Sequence, residues 1–197
     1  MTSTEENNDR IGNTSKIETF RICKKCNQTT TTENICEKCV RQFKQHENDD
    51  NTNLLIEKWE LCHEKASKYY LHGDFKRSLS ENKKALKFAK QLKDQMRIAD
   101  CYNNIGVIKS MKNKYVKALK YYNRALNIQI VLNGEDHLCV GEIFNNIGAV
   151  YADLGIRDDA DQYFNKAYRI SIKQRGMSHP KTKQILDNVE HLHHTYF

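Results

Sequence analysis

Apolar residues recur at helical spacing along residues 54–194, whereas residues 1–53 are mostly polar. In the first apolar stretch, five residues fall on one helix face: Leu55, Trp59, Cys62, Ala66 and Tyr69. This spacing predicts an amphipathic helix. The same reasoning predicts seven helices, over about residues 54–72, 75–93, 95–112, 115–132, 137–154, 158–173 and 180–194. The fold class that we predict is therefore all-α.

The predicted helices repeat in sequence with a fixed period. Residues 102–128 recur 42 positions later as residues 144–170. The identical positions include an Asn-Asn-Ile-Gly tetrapeptide, which begins at Asn103 and again at Asn145. A weaker copy lies 40 positions upstream and has Ala66 at the glycine position. A period near 40 is typical of proteins built from stacked helical repeats.

Small residues within each copy have the spacing of a helix-turn-helix unit. Gly106, Ala118 and Ala125 are separated by 12 and 7 positions, and the copy that follows keeps these intervals. Small side chains so placed allow two antiparallel helices to approach closely. The pattern resembles the tetratricopeptide repeat (TPR), and the long connections between copies resemble those of kinesin light chains. The resemblance covers about residues 54–195 and implies a right-handed helical solenoid.

The sequence thus divides into segments of different character. The amino-terminal segment is rich in polar residues and has too few apolar groups to offset the entropy of ordering, so we expect it to be disordered. The predicted parts are a tail (1–20), a zinc-binding module (21–45), a linker (46–53) and a TPR domain (54–195) with units at about 54–93, 94–135 and 136–177 and a capping helix at 180–194.

Four cysteines form two Cys-x-x-Cys pairs in the predicted module: Cys23, Cys26, Cys36 and Cys39. Two such pairs supply four thiolates, which is the ligand set of a tetrahedral structural Zn(II) site. A segment this short has almost no apolar core, so metal binding would have to supply its folding free energy. We predict one structural zinc ion in a small zinc ribbon or knuckle. A redox-active pair and free thiols are the alternatives.

Asparagine pairs precede the repeated glycines. In tetratricopeptide repeats the first helix of each unit lines a concave groove, so the resemblance implies a peptide-binding set there: Asn103, Asn104, Asn145, Asn146 and, from the capping helix, Asn188. An amide both donates and accepts, and can pair with the backbone of an extended peptide. Alternatively, one asparagine of each pair only braces the neighbouring repeat. Their positions along the first helix of each unit and along the capping helix add further groove candidates: Val107, Ser110, Met111, Ala149, Ala152 and His191.

The net charge of +7 originates in the repeats. Residues 1–53 carry 8 basic and 9 acidic side chains, which leaves 24 and 16 of the totals of 32 and 25 for the remainder. Four lysines share one face of the second predicted helix: Lys76, Lys83, Lys87 and Lys90. This face is either a solvated stripe or a docking surface for an acidic partner such as a tubulin tail or an RNA backbone.

No enzyme is predicted, because the sequence contains no Gly-rich phosphate loop, no Ser or Cys triad pattern and no paired-carboxylate motif. We expect no membrane span and no secretory signal, and hence a cytoplasmic protein, with cytoskeletal association left open. The predicted function is that of an adaptor or scaffold that binds an extended peptide or a partner protein in the concave groove. The alternative is a nucleic-acid-associated factor that uses the zinc module and the basic helix face.

Overall fold

In the computed structural model of the chain, residues 21–22, 29–30 and 37–194 are described. They form two strands, β1 (Arg21–Ile22) and β2 (Thr29–Thr30), and the helices α1 (Glu37–Leu71), α2 (Phe75–Gln91), α3 (Gln95–Ser110), α4 (Tyr115–Asn133), α5 (Leu138–Asp153), α6 (Arg157–Arg175) and α7 (Pro180–His194). The chain divides into two compact units, Met1–Asn51 and Thr52–Phe197. No helix in the described ranges has the length and hydropathy that a membrane span requires.

In the first unit, β1 and β2 pair antiparallel, with Arg21 opposite Thr30 and Ile22 opposite Thr29. Three of the four predicted zinc ligands, Cys23, Cys26 and Cys36, lie outside the described residues. Cys39 belongs to the first turn of α1. The tail predicted over residues 1–20 also lies outside the described part of the chain. The zinc site therefore stays a prediction.

Helix α1 is longer than the sequence pattern predicts. It begins at Glu37 and continues to Leu71, so residues 46–53, which were predicted to form a linker, are helical. Residues 48–54 are exposed and carry no apolar stripe, which is why the pattern placed the helix start at Leu54. Extending a helix costs far less than nucleating one, so a polar segment can continue a helix without burying a face.

Helices α2 to α7 begin and end within two residues of the predicted bounds. Asp74 and Asp94 cap α2 and α3, because each carboxylate accepts a hydrogen bond at 2.9 Å from a backbone N–H in the first turn. Helices α4 and α6 end at Gly134 and Gly176, whose φ angles of 84° and 82° lie in the left-handed region that favours glycine. Local capping chemistry thus accounts for the starts of α2 and α3 and for the ends of α4 and α6.

Among α2 to α7, consecutive helices pack against one another, most extensively α3 against α4 and α5 against α6. Gly106 on α3 faces the buried ring of Tyr122 on α4, and a Cβ at Gly106 would lie 2.6 Å from that ring. Gly148 on α5 faces Phe164 on α6 in the same way, at 2.7 Å. Each close helix crossing therefore requires the repeated glycine.

The first repeat achieves the same crossing with different residues. Ala66 stands at the glycine position, and the smaller Asn82, which is also buried, stands where Tyr122 stands 40 positions later. Ser78 replaces Ala118, and its hydroxyl donates a hydrogen bond to the carbonyl oxygen of Ala66 at 2.8 Å. A larger residue on one helix is thus accommodated by a smaller residue on the other.

Candidate functional site

The predicted asparagines form hydrogen bonds from one odd-numbered helix to the next. Asn146 on α5 donates from Nδ2 to Oδ1 of Asn103 on α3 at 3.0 Å. Asn188 on α7 donates from Nδ2 to Oδ1 of Asn145 on α5, also at 3.0 Å. The second asparagine of each pair therefore reaches back to the first asparagine of the preceding unit.

Asn104 on α3 continues this series with a histidine as its partner. Its Nδ2 lies 3.4 Å from Nε2 of His63 on α1, which accepts a hydrogen bond when that nitrogen is unprotonated. His63 stands 40 positions before Asn103, so it occupies the same register in the first unit. Sequence analysis missed this role because it searched the register for amides alone. We call the six residues the amide ladder: His63, Asn103, Asn104, Asn145, Asn146 and Asn188.

The amide ladder uses only part of the hydrogen-bonding capacity of its asparagines. Each amide has two N–H donors and one oxygen that can accept two hydrogen bonds. The hydrogen bond between Asn146 and Asn103 uses one N–H of Asn146 and the Oδ1 of Asn103. It does not use the Oδ1 and the second N–H of Asn146, or the amino group of Asn103. Both side chains are half-buried rather than fully enclosed. Bracing of neighbouring repeats is thus present, and the same amides retain groups that can bond to a ligand.

A cavity of about 300 Å³ opens between α5, α6 and α7. It brings together four residues of the predicted groove, namely Ala149, Ala152, Asn188 and His191. Its other lining residues were not predicted: Asp153, Gly155, Arg157, Phe164 and Leu192. Sequence analysis assigned the groove to odd-numbered helices only, and so missed the contribution of α6 and of the turn that precedes it.

The remaining positions predicted by register lie elsewhere. Val107 packs against the core cluster around Tyr122 and Ile147. Ser110 is half-buried, and the side chain of Met111 is largely exposed. Val107 is therefore a packing residue in this structure rather than part of the cavity.

Two acidic residues precede the asparagine pairs by one helical turn. Glu142 on α5 accepts hydrogen bonds from Arg175 at 3.1 Å and from Lys181 at 2.7 Å. Burial on its own would raise the pKa of Glu142, but these two cations hold it below its usual value. Burial raises the pKa of Asp100 on α3 above its usual value. The two carboxylates therefore occupy similar positions in sequence but different electrostatic environments.

Lysines gather on another part of the surface. Lys83, Lys87 and Lys90 line an open depression of about 460 Å³ along α2, together with Leu86 and Gln91. Burial lowers the pKa of Lys109 on α3, and so does the charge of several neighbouring lysines, which are Lys83, Lys114, Lys117 and Lys112. The basic face thus extends from α2 to the turn between α3 and α4, which the spacing within a single helix did not predict.

The thiols of Cys62, Cys101 and Cys139 lack the features of a reactive centre. Cys62 and Cys101 are buried, and Cys139 is half-buried. Burial raises the pKa of all three, that of Cys101 to about 11, whereas an activated cysteine has a lowered pKa. Among the described residues, no group of three or more His, Cys, Asp or Glu side chains is placed to hold a metal ion.

Comparison with known protein families gives a match to part of the chain. Residues 97–173 match the family described as Tetratricopeptide repeat. The match covers most of the second and third units and includes four of the six residues of the amide ladder. No curated protein sequence matches the chain.

Three solved structures show the same fold. BtubC (BKLC) from P. vanneervenii superposes with a TM-score of 0.59 and 24% identity, over 65% of this chain and 52% of BtubC. The TPR2B domain of yeast Sti1, in complex with pHsp70, superposes with a TM-score of 0.56 and 12% identity, over 69% of this chain and 96% of that domain. RapI in its apo form superposes with a TM-score of 0.62 and 22% identity, over 70% of this chain and 48% of RapI. The chain spans about half the length of BtubC and RapI. Its helical part has a TPR-type fold, consistent with a helical solenoid.

Proposed function

We propose that this chain is an adaptor or scaffold that binds an extended segment of another protein across its odd-numbered helices. The observation that carries the proposal is the amide ladder, which aligns half-buried amides from α3 to α7. A peptide backbone presents N–H and C=O groups at regular intervals. Amides with unused donors and acceptors can bond to both, whatever the side chains of the peptide are.

The cavity beside Asn188 supports the same proposal. A peptide bonded to Asn146 and Asn188 would pass this opening, which offers room for one of its side chains. Ala149, Ala152 and Phe164 make part of the wall apolar, while Asp153 and His191 add polar groups. Ligand sites commonly combine an apolar wall with a few polar groups in this way.

Similarity to other proteins favours a protein as the ligand. The TPR2B domain of yeast Sti1 has this fold and was solved in complex with pHsp70. The connections between units, which contain Gly134 and Gly176, add the resemblance to kinesin light chains. We include that resemblance, together with a cytoplasmic location, in the proposal.

For the amino-terminal module we propose one structural Zn(II) bound by Cys23, Cys26, Cys36 and Cys39. The pairing of β1 with β2 supports it, since these two strands flank the first cysteine pair in the sequence. Two strands of two residues each are too short to be stable on their own, and a metal would supply the missing free energy. The module then serves as structural support or as a further protein-binding surface.

A capture experiment tests the adaptor function. The full chain and its Asn104→Ala, Asn146→Ala double variant are immobilised, and proteins from the source cell are captured on each. Loss of peptide contacts worth about 1–3 kcal/mol each should reduce partner capture at least tenfold, since about 1.4 kcal/mol is one decade in affinity. The matched control is Asn165→Ala, which removes an amide that donates to Asp161 at 2.9 Å on the exposed side of α6.

A control that binds as wild type, together with a double variant that does not, supports binding at the amide ladder. Equal capture by all three proteins would exclude the ladder as the binding surface. Circular dichroism should show equal helix content in the variants, because replacement of a helical Asn by Ala is neutral or mildly favourable by propensity.

The alternative function is nucleic-acid binding, and the observation that supports it is the basic face. If RNA or DNA were the ligand, Lys83 and Lys87 would contact phosphates, and affinity would fall steeply with salt concentration. We expect only weak binding that disappears at physiological salt. Sub-micromolar affinity that persists there and depends on Lys83 and Lys87 would favour the nucleic-acid function over the adaptor function.

A further inference from the structure

Two cations from different helices contact the same aromatic ring. Nζ of Lys90 on α2 lies 5.9 Å from the centroid of the Tyr102 ring on α3, and the guanidinium carbon of Arg124 on α4 lies 5.6 Å from it. Arg124 also lies 5.9 Å from the centroid of the Tyr121 ring, and the centroids of the two tyrosine rings are 6.0 Å apart. Basic side chains of α2 and α4 therefore converge over α3.

The basic face continues along α2 from this contact. Lys83 stands two helical turns before Lys90, about 10 Å away along the helix axis. At that level the charge of Lys83 acts on Lys109 of α3, and so do the charges of Lys114 and Lys117. The basic face thus joins α2, α3 and α4 at two levels. The open depression of about 460 Å³ runs along α2 between these levels and is lined by Lys83, Leu86, Lys87, Lys90 and Gln91.

The positive charge of the repeats is concentrated in this part of the chain. Residues 75–133 carry 14 basic and 3 acidic side chains, whereas residues 138–175 carry 5 of each. Two of the three acidic residues, Glu81 and Asp94, already form ion pairs with a cation three positions later. Among the described residues, the exposed lysines of the depression form no ion pair. The basic face consequently has an excess of positive charge that its own helices do not balance.

Equivalent positions of the third unit do not keep these lysines. Tyr151 stands 42 positions after Lys109, and Asp159 stands 42 positions after Lys117. The same pair of packed helices forms in both units, so the repeat does not need the lysines in order to fold. Like charges that lie close together raise the free energy of the free protein, and an anionic partner offsets that repulsion.

The chemistry of the basic face favours an acidic protein segment over a nucleic acid. Proteins that bind single strands stack the bases on aromatic rings, but Tyr102 and Tyr121 are half-buried, and Lys90 and Arg124 already lie over them. Phosphate contacts without stacking weaken steeply with salt. Leu86 and the aliphatic stems of the lysines add apolar surface in the depression. Carboxylates next to an apolar side chain match this combination.

We propose that the basic face is a second docking surface, which binds an acidic segment of a partner protein through Asp or Glu residues that flank an apolar side chain. The two basic levels are about 10 Å apart, which corresponds to about three residues of an extended chain. Acidic residues three positions apart would therefore reach both levels. The basic face shares no residue with the amide ladder, and the proposal does not depend on peptide binding there.

Labelled peptides test this inference by fluorescence anisotropy with the full chain at physiological salt. One ten-residue peptide carries Glu residues three positions apart around a single Leu, and its analogue carries Gln in place of each Glu. A ten-nucleotide single strand of DNA is the third probe. Wild type should bind the Glu peptide at least about tenfold more tightly than the Gln peptide, as expected for several charge-assisted contacts. It should also bind the Glu peptide more tightly than the DNA strand.

Substitutions on two different helices should weaken binding of the Glu peptide. The double variant Lys83→Gln, Lys87→Gln removes two cations of α2. Lys117→Asp gives α4 the residue that the third unit has at Asp159, so the fold accepts it. Each variant should lower the affinity for the Glu peptide by at least about fivefold. Lys166→Gln is the matched control, because it removes an exposed lysine that lies over aromatic rings of the third unit, and it should bind as wild type does.

Loss of affinity in both lysine variants, with Lys166→Gln unchanged, supports the second docking surface. Equal binding of the Glu and Gln peptides, or full affinity for the Glu peptide in either lysine variant, overturns it. Tighter binding of the DNA strand than of the Glu peptide overturns it in favour of a nucleic acid. The amide-ladder variant Asn104→Ala, Asn146→Ala should bind the Glu peptide as wild type does, and loss of binding in that variant would instead assign the peptide to the amide ladder.

Discussion

The Cα of Gly106 lies so close to the ring of Tyr122 that a Cβ on Gly106 would approach the ring to 2.6 Å. Gly148 and Phe164 repeat the relationship in the next unit. The distance between the two helices of a unit is therefore set by one missing methyl group. The amide ladder joins helices of consecutive units instead, since Asn146 on α5 donates to Asn103 on α3 at 3.0 Å.

Gly106→Ala should destabilise the helical domain by about 1–3 kcal/mol, because overpacking outweighs the gain in helix propensity. Gly141→Ala is the matched control: its added Cβ would meet Ile170 at 3.1 Å rather than an aromatic ring at 2.6 Å. The free energy of unfolding, measured in urea, should be well below that of Gly141→Ala for the Gly106→Ala variant. The reverse order would show that the helices separate freely at the Gly106 crossing.

The brace within the amide ladder can be tested apart from ligand binding. Asn103→Ala leaves Nδ2 of Asn146 without its acceptor and should lower the free energy of unfolding by about 0.5–1.5 kcal/mol. Asn103→Asp keeps an oxygen at the same place and should retain most of that stability. If both variants lose the same amount in urea unfolding, the hydrogen bond to Asn146 does not stabilise the stack.

Opposite pH dependences are expected at the two equivalent carboxylates. The pKa of Asp100 is raised in the folded state, so its ionised form costs stability at neutral pH, and this cost disappears as the pH falls through the raised pKa towards the unfolded value of 3.8. Asp100→Asn should therefore stabilise the protein at pH 7, and the gain should vanish in acid.

Glu142 should behave in the opposite sense. Its pKa is lowered by Lys181 and Arg175, so it contributes stability above the unfolded value of 4.5, and that stability is lost as the pH falls through the folded-state pKa. Glu142→Gln should therefore destabilise at pH 7 and have little effect in acid. Urea unfolding of both variants from pH 7 down to about pH 3, which lies below both unfolded values, checks the pair; changes of the same sign at neutral pH would contradict it.

For the amino-terminal module we expect one zinc ion per chain when the protein is purified under reducing conditions without chelator. Replacement of Cys23 and Cys36 by Ser should abolish it, since two ligands cannot hold a structural zinc ion. The helical repeats should remain folded, because their core residues lie in the other unit. Elemental analysis and circular dichroism measure the two effects, and a wild-type protein without zinc would contradict the prediction.

Helices α2 to α7 could be predicted because apolar periodicity, small residues and turn glycines agree along that part of the sequence. The helical state of residues 46–53 could not, because residues 48–53 are polar and exposed, and a helical segment that buries no apolar face leaves no periodic signal. Register correctly gave a shared face to Asn103 and Asn146. It could not show which atoms pair, because the hydrogen bond joins residues 43 positions apart, one more than the repeat.

The difference between the electrostatic environments of Asp100 and Glu142 could be recognised only after the structure had identified the partners of Glu142. Arg175 and Lys181 come from α6 and α7, far along the chain, and no local pattern connects them to α5. Cavity residues such as Arg157 were missed for a similar reason, since their proximity to α7 depends on tertiary packing.

The amide ladder also sets a length scale for whatever binds to it. Packed helices lie about 8–10 Å apart, and an extended chain advances about 3.3 Å per residue, so that one repeat corresponds to about three residues of a bound segment. Side chains of the partner that meet equivalent positions on α3, α5 and α7 would then recur at every third residue. A partner should accordingly be recognisable by the spacing of its contacts as well as by their chemistry.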